Sequence, residues 1–183
     1  MRKYYLHSLG CKVNSYENAS VGTILAKEGY VETPEEEEAD VIILNTCSVT
    51  MKADAKSRQH ISSFRKRNEK ATLVVMGCYS QTHAEEAARL GADIVLGAAD
   101  RSLIPSYIRK HEETGEKIID VKKNVRKEEY EELGANAFCE NARAYLKIQD
   151  GCDNFCSYCF IPFLRGNSRS RAPREVLFEA EAL

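Results

Sequence analysis

The chain has 183 residues, of which 43% are hydrophobic and 30% are charged, and its formal net charge is −2. The composition is that of a globular protein, and with no apolar run long enough to cross a membrane we expect a cytoplasmic one. The near-neutral charge argues against a protein that binds nucleic acid over its whole surface. Seven cysteines, an odd number, indicate metal ligation or catalysis rather than a disulfide framework.

Short apolar or β-branched runs alternate with segments of helical spacing in the first part of the chain. Thr82 is the expected N-cap of the third helix with Glu85 as its capping-box partner, and Gly29 and Gly91 are expected at helix C-caps. This alternation predicts an α/β fold with a doubly wound parallel sheet. The predicted strands are residues 3–9, 41–45, 72–76 and 93–96, and the predicted helices are residues 15–29, 51–69, 82–90 and 102–112.

The pattern changes after residue 112. Residues 112–132 are mostly charged around an apolar island at 118–121, which predicts a linker with one β-like stretch. A new strand is expected from Ala144, in AYLKIQD, so we place a domain boundary near 135–142. The first domain is then residues 1–134, and residues 135–183 begin a second domain. One strand, one loop and one helix are too few to bury a core, so this second domain is expected to be truncated.

Two charged segments stand out. Four arginines and no acidic residue occur between residues 165 and 174, namely Arg165, Arg169, Arg171 and Arg174. They are open to two interpretations, a local contact with RNA phosphate or a set of structural ion pairs. The acidic run at 35–38 is expected to be a solvated loop.

The densest cysteine segment is a Cys-x3-Cys-x2-Cys loop, formed by Cys152, Cys156 and Cys159. Three thiolates on one short loop suit three irons of a 4Fe–4S cluster and leave the fourth iron open. Reductive cleavage of S-adenosylmethionine (SAM) requires such an open iron. The alternative is a zinc site completed by Cys139 or a histidine, although zinc loops usually pair two Cys-x2-Cys halves. The spacing, with Tyr158 before the last cysteine, resembles the signature of the radical SAM superfamily.

Cys11, Cys47 and Cys78 share no local motif, yet each lies two residues beyond the end of a predicted strand. Because the carboxyl ends of parallel strands share one edge of a sheet, we expect the three thiols to converge there. Three thiolates again suit an iron–sulfur cluster with an open iron. The alternative is that each cysteine is a small buried residue of the core.

Five sequence blocks resemble the radical SAM methylthiotransferases, and the match runs nearly from end to end. The sequences GCKVN and KADAKSR are similar to those of the branch that modifies N6-threonylcarbamoyladenosine at position 37 of tRNA. They are less similar to those of the branches that modify isopentenyladenosine in tRNA or an aspartate of a ribosomal protein. The blocks are SLGCKVNSYE (8–17), NTCSVT (45–50), KADAKSRQ (52–59), MGCYSQ (76–81) and KIQDGC (147–152).

The resemblance implies two 4Fe–4S clusters and SAM as cofactors. The loop cysteines would hold the cluster that cleaves SAM, and Cys11, Cys47 and Cys78 would hold an auxiliary cluster that presents the sulfur. The implied reaction transfers a methylthio group to C2 of the adenine, and one SAM supplies the methyl group while another supplies the radical. In this resemblance, residues 135–183 are the first strand, cluster loop and helix of an incomplete radical SAM (β/α) barrel.

Further site residues and partners follow from the same resemblance. Tyr158, Phe160 and Ile161 lie where members of the family contact the adenine of SAM, largely through backbone atoms. The implied partners are tRNA, bound mainly through regions beyond Leu183, and a reductase or flavodoxin-type electron donor. The isolated chain is therefore expected to be inactive.

The segment GANAFCENA (134–142) departs from the family linker, so we expect Cys139 to be an unliganded thiol. Two other functions compete with the enzyme. One is an iron–sulfur module for electron transfer, without a substrate of its own. The other is a zinc-stabilised domain that binds nucleic acid.

Overall fold

The computed structural model describes residues 1–122, 129–133, 139–140 and 143–182. Within these residues, six strands form one parallel sheet: β1 (Lys3–Ser8), β2 (Val31–Glu32), β3 (Val41–Thr46), β4 (Thr72–Gly77), β5 (Ile94–Leu96) and β6 (Ile118–Asp120). Their order across the sheet is β2-β1-β3-β4-β5-β6. The two central strands, VIILNT and TLVVMG, are buried along their whole length, as continuous apolar runs in a parallel sheet usually are.

Helices cover both faces of this sheet, so the predicted doubly wound arrangement is confirmed. The helices of the sheet domain are α1 (Lys12–Lys27), α2 (Met51–Arg67), α3 (Cys78–Thr82), α4 (Ala84–Arg89) and α5 (Ile104–Thr114). One face packs Val21 and Leu25 of α1 and Ile104 and Ile108 of α5 against the sheet. The other face packs Ile61 and Phe64 of α2 and the alanines of α4.

The strand order reverses beside β1, which lies between β2 and β3 although both follow it in the chain. Such a reversal opens a crevice at the carboxyl ends of the strands, the usual ligand site of these folds. The carboxyl ends of β1, β3 and β4 are aligned by the strand register, because Ser8 pairs with Asn45 and Thr46 pairs with Gly77. The loops after β1, β3 and β4 therefore leave the sheet at one edge.

Some predicted local details of the sheet domain are wrong. The helix predicted over residues 82–90 begins only after His83, without a side-chain cap, and a separate short helix that was not predicted, Cys78–Thr82, precedes it. Thr82 is not an N-cap, because its hydroxyl donates to the carbonyl of Tyr79 inside the preceding turn. The acidic run is also not simply solvated: Glu36–Glu38 is a 3-10 helix, and Glu36 is buried and ion-paired with Arg67.

The region after residue 112 matches the prediction in part. The apolar island forms β6, an edge strand of the main sheet, and α5 continues to Thr114 into the predicted linker. Residues 123–128 of that linker lie outside the described residues, as does most of the predicted boundary near 135–142. The division at residue 134 therefore stays a prediction.

The predicted strand AYLKIQD is wrong as a continuous element. Its ends form β8 (Arg143–Ala144), which pairs with β7 (Cys139–Glu140), and β9 (Gln149–Asp150), which pairs with β10 (Arg169–Ser170). Residues 145–148 have no ladder partner among the described residues, and a strand forms only where its backbone groups are paired. Two helices, α6 (Ile161–Arg165) and α7 (Pro173–Ala182), complete this region.

Polar contacts attach this second region to the first domain. The Tyr16 hydroxyl of α1 donates to Glu179 of α7 over 2.9 Å, and Arg171 pairs with Glu179 and Glu132. Large apolar side chains of the region stay exposed, as expected, including Ile148, Leu177 and Phe178 at 56%, 64% and 61%. No helix in the described part of the chain is long and apolar enough to span a bilayer.

Candidate metal centre

The first three cysteines follow three neighbouring strands. Cys47 comes directly after β3, Cys78 comes directly after β4 as the first residue of α3, and Cys11 caps the N-terminus of α1 after β1. Cys47 and Cys78 are buried, whereas Cys11 is exposed. The structure thus places all three at one edge of the sheet, at the reversal point of the strand order.

Gly10 allows the backbone of the first loop to approach Cys47. Gly10 has a φ of +100°, and a Cβ added to it would lie 2.6 Å from Cys47 Sγ. Any other residue would therefore be strained and would occupy the space beside this sulfur. The sequence block GCKVN places glycine where that space is needed.

Asn14 joins the cysteine loops. Its side-chain amide donates to the carbonyls of Leu9 and Thr46, over 2.8 and 3.0 Å, and so links the ends of β1 and β3. Its carbonyl oxygen lies 3.7 Å from Cys11 Sγ. Asn14 is completely buried, so these bonds hold the two loops in a fixed relation.

Two serines hold the other cysteine loops. The amide of Cys47 donates to Ser57 Oγ over 3.3 Å, and the Ser57 hydroxyl donates to the Cys47 carbonyl over 2.9 Å. The Ser80 hydroxyl, two residues after Cys78 on α3, donates to the Leu96 carbonyl over 2.6 Å. These bonds explain why the motifs around the cysteines contain small hydroxyl residues.

The second cysteine set lies on a loop between β9 and α6. The Cys152 amide donates to the Gly166 carbonyl over 3.1 Å, and the Cys159 amide donates to the Cys156 carbonyl over 2.9 Å. Cys156 is exposed, and Cys152 and Cys159 are half-buried. Tyr158 and Phe160 are 90% and 51% exposed, while Ile161 begins α6.

A buried ionic network lies between the two cysteine sets, and sequence reasoning missed it. Its centre is Glu17 of α1, which is inaccessible to solvent. Arg165 of α6 donates to both Glu17 oxygens over 2.7 and 3.2 Å, and Lys147 and Arg101 lie 2.7 and 3.0 Å from the same carboxylate. Asp150 accepts from Arg165 and Lys147, each over 3.0 Å.

The ionisation of this network follows from its composition. Burial by itself raises the pKa of the Glu17 carboxyl, but Arg101, Arg165 and Lys147 outweigh burial and hold that pKa well below its ordinary value. Burial likewise raises the pKa of the Cys78 thiol, and the Arg165 guanidinium opposes that shift. Arg165 belongs to the helix that follows the second set, and this helix packs against α3, which begins at Cys78.

A signal for the network exists in the helix α1. Its buried positions include Asn14, Glu17, Asn18, Val21 and Leu25, which recur at helical spacing along one face. The first three are polar, although this stripe faces the core. Polar residues on a core-facing stripe indicate buried partners, so the sequence identifies the helix face but not the partners.

Three of the four arginines between residues 165 and 174 form structural ion pairs. Arg165 and Arg171 are 4% and 3% exposed, and Arg169 lies 3.4 Å from Asp150. The interpretation that these three arginines bind RNA phosphate is therefore wrong. Arg174 is exposed.

Among the described residues, no three Cys, His, Asp or Glu side chains are arranged as ligands of one metal ion. The cysteine backbones meet at one edge, but their side chains do not form the three-ligand group that we expected. The first set nevertheless fits an iron–sulfur group in its donor chemistry and in the space that Gly10 leaves beside the Cys47 sulfur. The side chain of Cys139 lies outside the described residues.

Comparisons with known proteins show which family the chain belongs to. Residues 3–97 match a family described as Uncharacterized protein family UPF0004. Over 97% of its length the chain is 44% identical to the threonylcarbamoyladenosine tRNA methylthiotransferase MtaB of Bacillus subtilis. It is 35% identical, over 98% of its length, to the protein of the same name from Thermotoga maritima.

A related activity occurs among the similar proteins. The chain is 33% identical, over 99% of its length, to the tRNA-2-methylthio-N(6)-dimethylallyladenosine synthase of Fervidobacterium nodosum. In each of these three comparisons the chain spans about two fifths of the relative, 40% of the first two and 41% of the third. The family match covers strands β1 to β5 and the edge that carries Cys11, Cys47 and Cys78, and on that match the chain belongs to the UPF0004 family.

Proposed function

We propose that this chain is the N-terminal part of a tRNA methylthiotransferase that adds a 2-methylthio group to N6-threonylcarbamoyladenosine at position 37. The observation that carries the proposal is the placement of Cys11, Cys47 and Cys78 at the ends of three adjacent strands. The loop of Cys152, Cys156 and Cys159 supports it with a second thiol set in the same chain.

The two thiol sets would have separate roles. Cys11, Cys47 and Cys78 would hold an auxiliary 4Fe–4S cluster, and Cys152, Cys156 and Cys159 would hold the cluster that binds SAM. When bound, these groups supply the sulfur and the radical chemistry of the reaction. The protein residues supply ligation, position and exclusion of water.

Several residues of this chain would perform that positioning. Asn14 and Ser57 fix the loops of the first set through backbone hydrogen bonds. The network around Glu17 attaches the second set to the first domain through salt bridges that solvent does not reach. Tyr158, Phe160 and Ile161 would contact the adenine of SAM from the end of the second loop.

The substrate would be bound mainly by parts of the protein that this chain does not include. Arg165, Arg169 and Arg171 are engaged in ion pairs with Glu17, Asp150 and Glu179, so phosphate contacts are expected elsewhere. A reductase or flavodoxin-type protein would supply electrons, and the reaction would take place in the cytoplasm.

The test uses a full-length protein that carries this sequence as its N-terminal part. After anaerobic reconstitution we expect about eight irons per chain, the content of two four-iron clusters. With SAM, a reductant and tRNA lacking the modification, mass spectrometry of the nucleosides should detect 2-methylthio-N6-threonylcarbamoyladenosine.

Other outcomes identify the competing functions. Methylthiolation of isopentenyladenosine would assign the chain to the branch represented by the Fervidobacterium relative, and methylthiolation of a ribosomal protein would assign it to the third branch. Bound iron without SAM-dependent formation of 5'-deoxyadenosine would favour an electron-transfer module. A colourless protein that contains zinc would contradict the proposal.

A further inference from the structure

Arg165 connects the two cysteine sets. It is the last residue of α6, the helix that follows Cys159, and its side chain is 4% exposed. From there the guanidinium extends into the first domain and bonds to residues of α1. The positive charge of a residue that follows the Cys152 loop therefore lies in the first domain, beside the first cysteine set.

Arg165 reaches the first site through Asn14 and through the packing of its helix. One terminal nitrogen donates to Asn14 Oδ1 over 2.7 Å, and this oxygen lies 3.7 Å from Cys11 Sγ. The helices α3 and α6 also pack together, and α3 begins at Cys78. Arg165 therefore reaches Cys11 through Asn14, and its helix packs against the helix that begins at Cys78.

The acidic partners hold this guanidinium in place. Glu17 accepts from both terminal nitrogens, and Asp150 accepts from one of them over 3.0 Å. A planar guanidinium presents donors in a fixed fork, so several acceptors fix its orientation as well as its position. Glu17 and Asp150 therefore hold the positive charge of Arg165 beside the first cysteine set.

We propose that Arg165 is a positioning residue that holds Asn14 and a positive charge beside the first cysteine set and sets the reduction potential of the auxiliary iron–sulfur group. This inference rests on the proposed function. Hydrogen bonds and nearby positive charge at cluster sulfurs stabilise the reduced, more negative state. Because Arg165 lies in the helix after the Cys152 loop, its ion pair with Glu17 also joins that helix to α1.

The test measures the reduction potentials of both clusters by redox titration, followed by electron paramagnetic resonance, in the full-length protein that carries this sequence. Arg165→Met should shift the potential of the auxiliary cluster to a more negative value and leave that of the SAM cluster unchanged. Arg165→Lys keeps the charge and should shift the same potential less. Arg174→Met, an exposed arginine in the same segment, is the matched control and should shift neither potential.

A second measurement needs no bound iron. In the cluster-free full-length protein, Arg165→Met should make amide hydrogen exchange about tenfold or more faster in residues 147–150 and 161–165, because the ties to Glu17 are lost. Arg174→Met should leave the exchange of both segments as in the parent protein. If the Met variant assembles no cluster, this measurement still tests whether Arg165 holds these two segments in position.

The outcomes separate this inference from the proposed function. An auxiliary cluster that forms, with a potential equal in the parent and both Arg165 variants, would overturn the inference and leave the proposed function intact. A parent protein that binds no iron at Cys11, Cys47 and Cys78 would overturn both. Equal shifts of both cluster potentials would also contradict the inference, because they indicate a general loss of structure.

Discussion

Glu17 and Arg165 are 148 positions apart in the chain, and their side chains form a buried, two-pronged ion pair with N–O distances of 2.7 and 3.2 Å. Taking two charges out of water costs free energy, which is offset only where geometry and further hydrogen bonds are good. Here Asn14, Asp150 and Lys147 provide those further partners. The pair therefore joins the helix after Cys11 to the helix after Cys159.

We predict that Glu17→Gln destabilises the chain by about 3–5 kcal/mol at neutral pH, as expected when one partner of a buried ion pair is removed. The amide occupies the same volume but leaves Arg101, Arg165 and Lys147 without their shared carboxylate. Urea unfolding followed by circular dichroism measures the change. Glu113→Gln, an exposed residue of α5, is the control and should stay within about 0.5 kcal/mol of the parent chain.

The same pair predicts a pH dependence. Because the pKa of Glu17 in the folded chain lies well below its ordinary value of 4.5, its contribution to stability is fully present above that value. The contribution is lost as the pH falls through the folded pKa. Stability should thus decline below about pH 4.5 in the parent chain, and the Gln variant should decline less. Parallel declines in the two chains would contradict the assignment.

We predict that Gly10→Ala destabilises the chain by about 1–3 kcal/mol more than Gly29→Ala, through overpacking against Cys47. Both glycines have positive φ, +100° and +86°, so both substitutions strain the backbone. Only at Gly10 does the added Cβ meet another group, Cys47 Sγ at 2.6 Å, whereas nothing lies within 4 Å at Gly29. Urea unfolding compares the two variants, and equal costs would show that the approach to Cys47 is unimportant.

We predict that Cys47→Ala, in a full-length protein with this N-terminal sequence, lowers the iron content from about eight to about four and abolishes methylthio transfer. Some SAM cleavage to 5'-deoxyadenosine should remain, because the loop of Cys152 is a separate thiol set. Cys139→Ala is the control and should keep the full iron content. Complete loss of SAM cleavage in Cys47→Ala, with the other cluster intact, would show that the two roles are not separable.

The sheet could be predicted from the sequence because its pattern is local. Runs such as VIILN and TLVVM are long enough to identify as strands, and the positions of Cys11, Cys47 and Cys78 after strand ends place them at one edge. The two-residue strand β2 lacks such a run, so it was not predicted. Thr82 has the residue type of an N-cap, but its hydroxyl donates to the Tyr79 carbonyl in the preceding turn instead.

The ionic network could not be predicted because its partners are far apart in sequence. Glu17 on α1 meets Lys147, Asp150 and Arg165, and no local pattern indicates which charges will be neighbours. The arginine segment was ambiguous for the same reason, since an arginine in an ion pair and one that binds phosphate look alike in sequence. Tertiary packing decides between them, and it buries Arg165 and Arg171.

The final prediction concerns the isolated chain of residues 1–183. Its first cysteine set lies on a complete sheet edge, but the surroundings of the second set are open: Tyr158, Phe160 and Phe163 are 90%, 51% and 54% exposed. A ligand gains affinity mainly from surface that it buries in a formed pocket, and few walls surround this loop.

We therefore expect the isolated chain to reconstitute a cluster at Cys11, Cys47 and Cys78 more readily than at the Cys152 loop, and to bind SAM only weakly. Iron analysis of Cys47→Ala and Cys156→Ala variants of this chain identifies which set is filled, because the first substitution should remove most of the iron and the second little. Calorimetric titration with SAM measures the affinity, and mass spectrometry of tRNA nucleosides tests for turnover. Micromolar binding, corresponding to about −8 kcal/mol, or a methylthiolated product would show that the exposed loop already forms a functional SAM pocket.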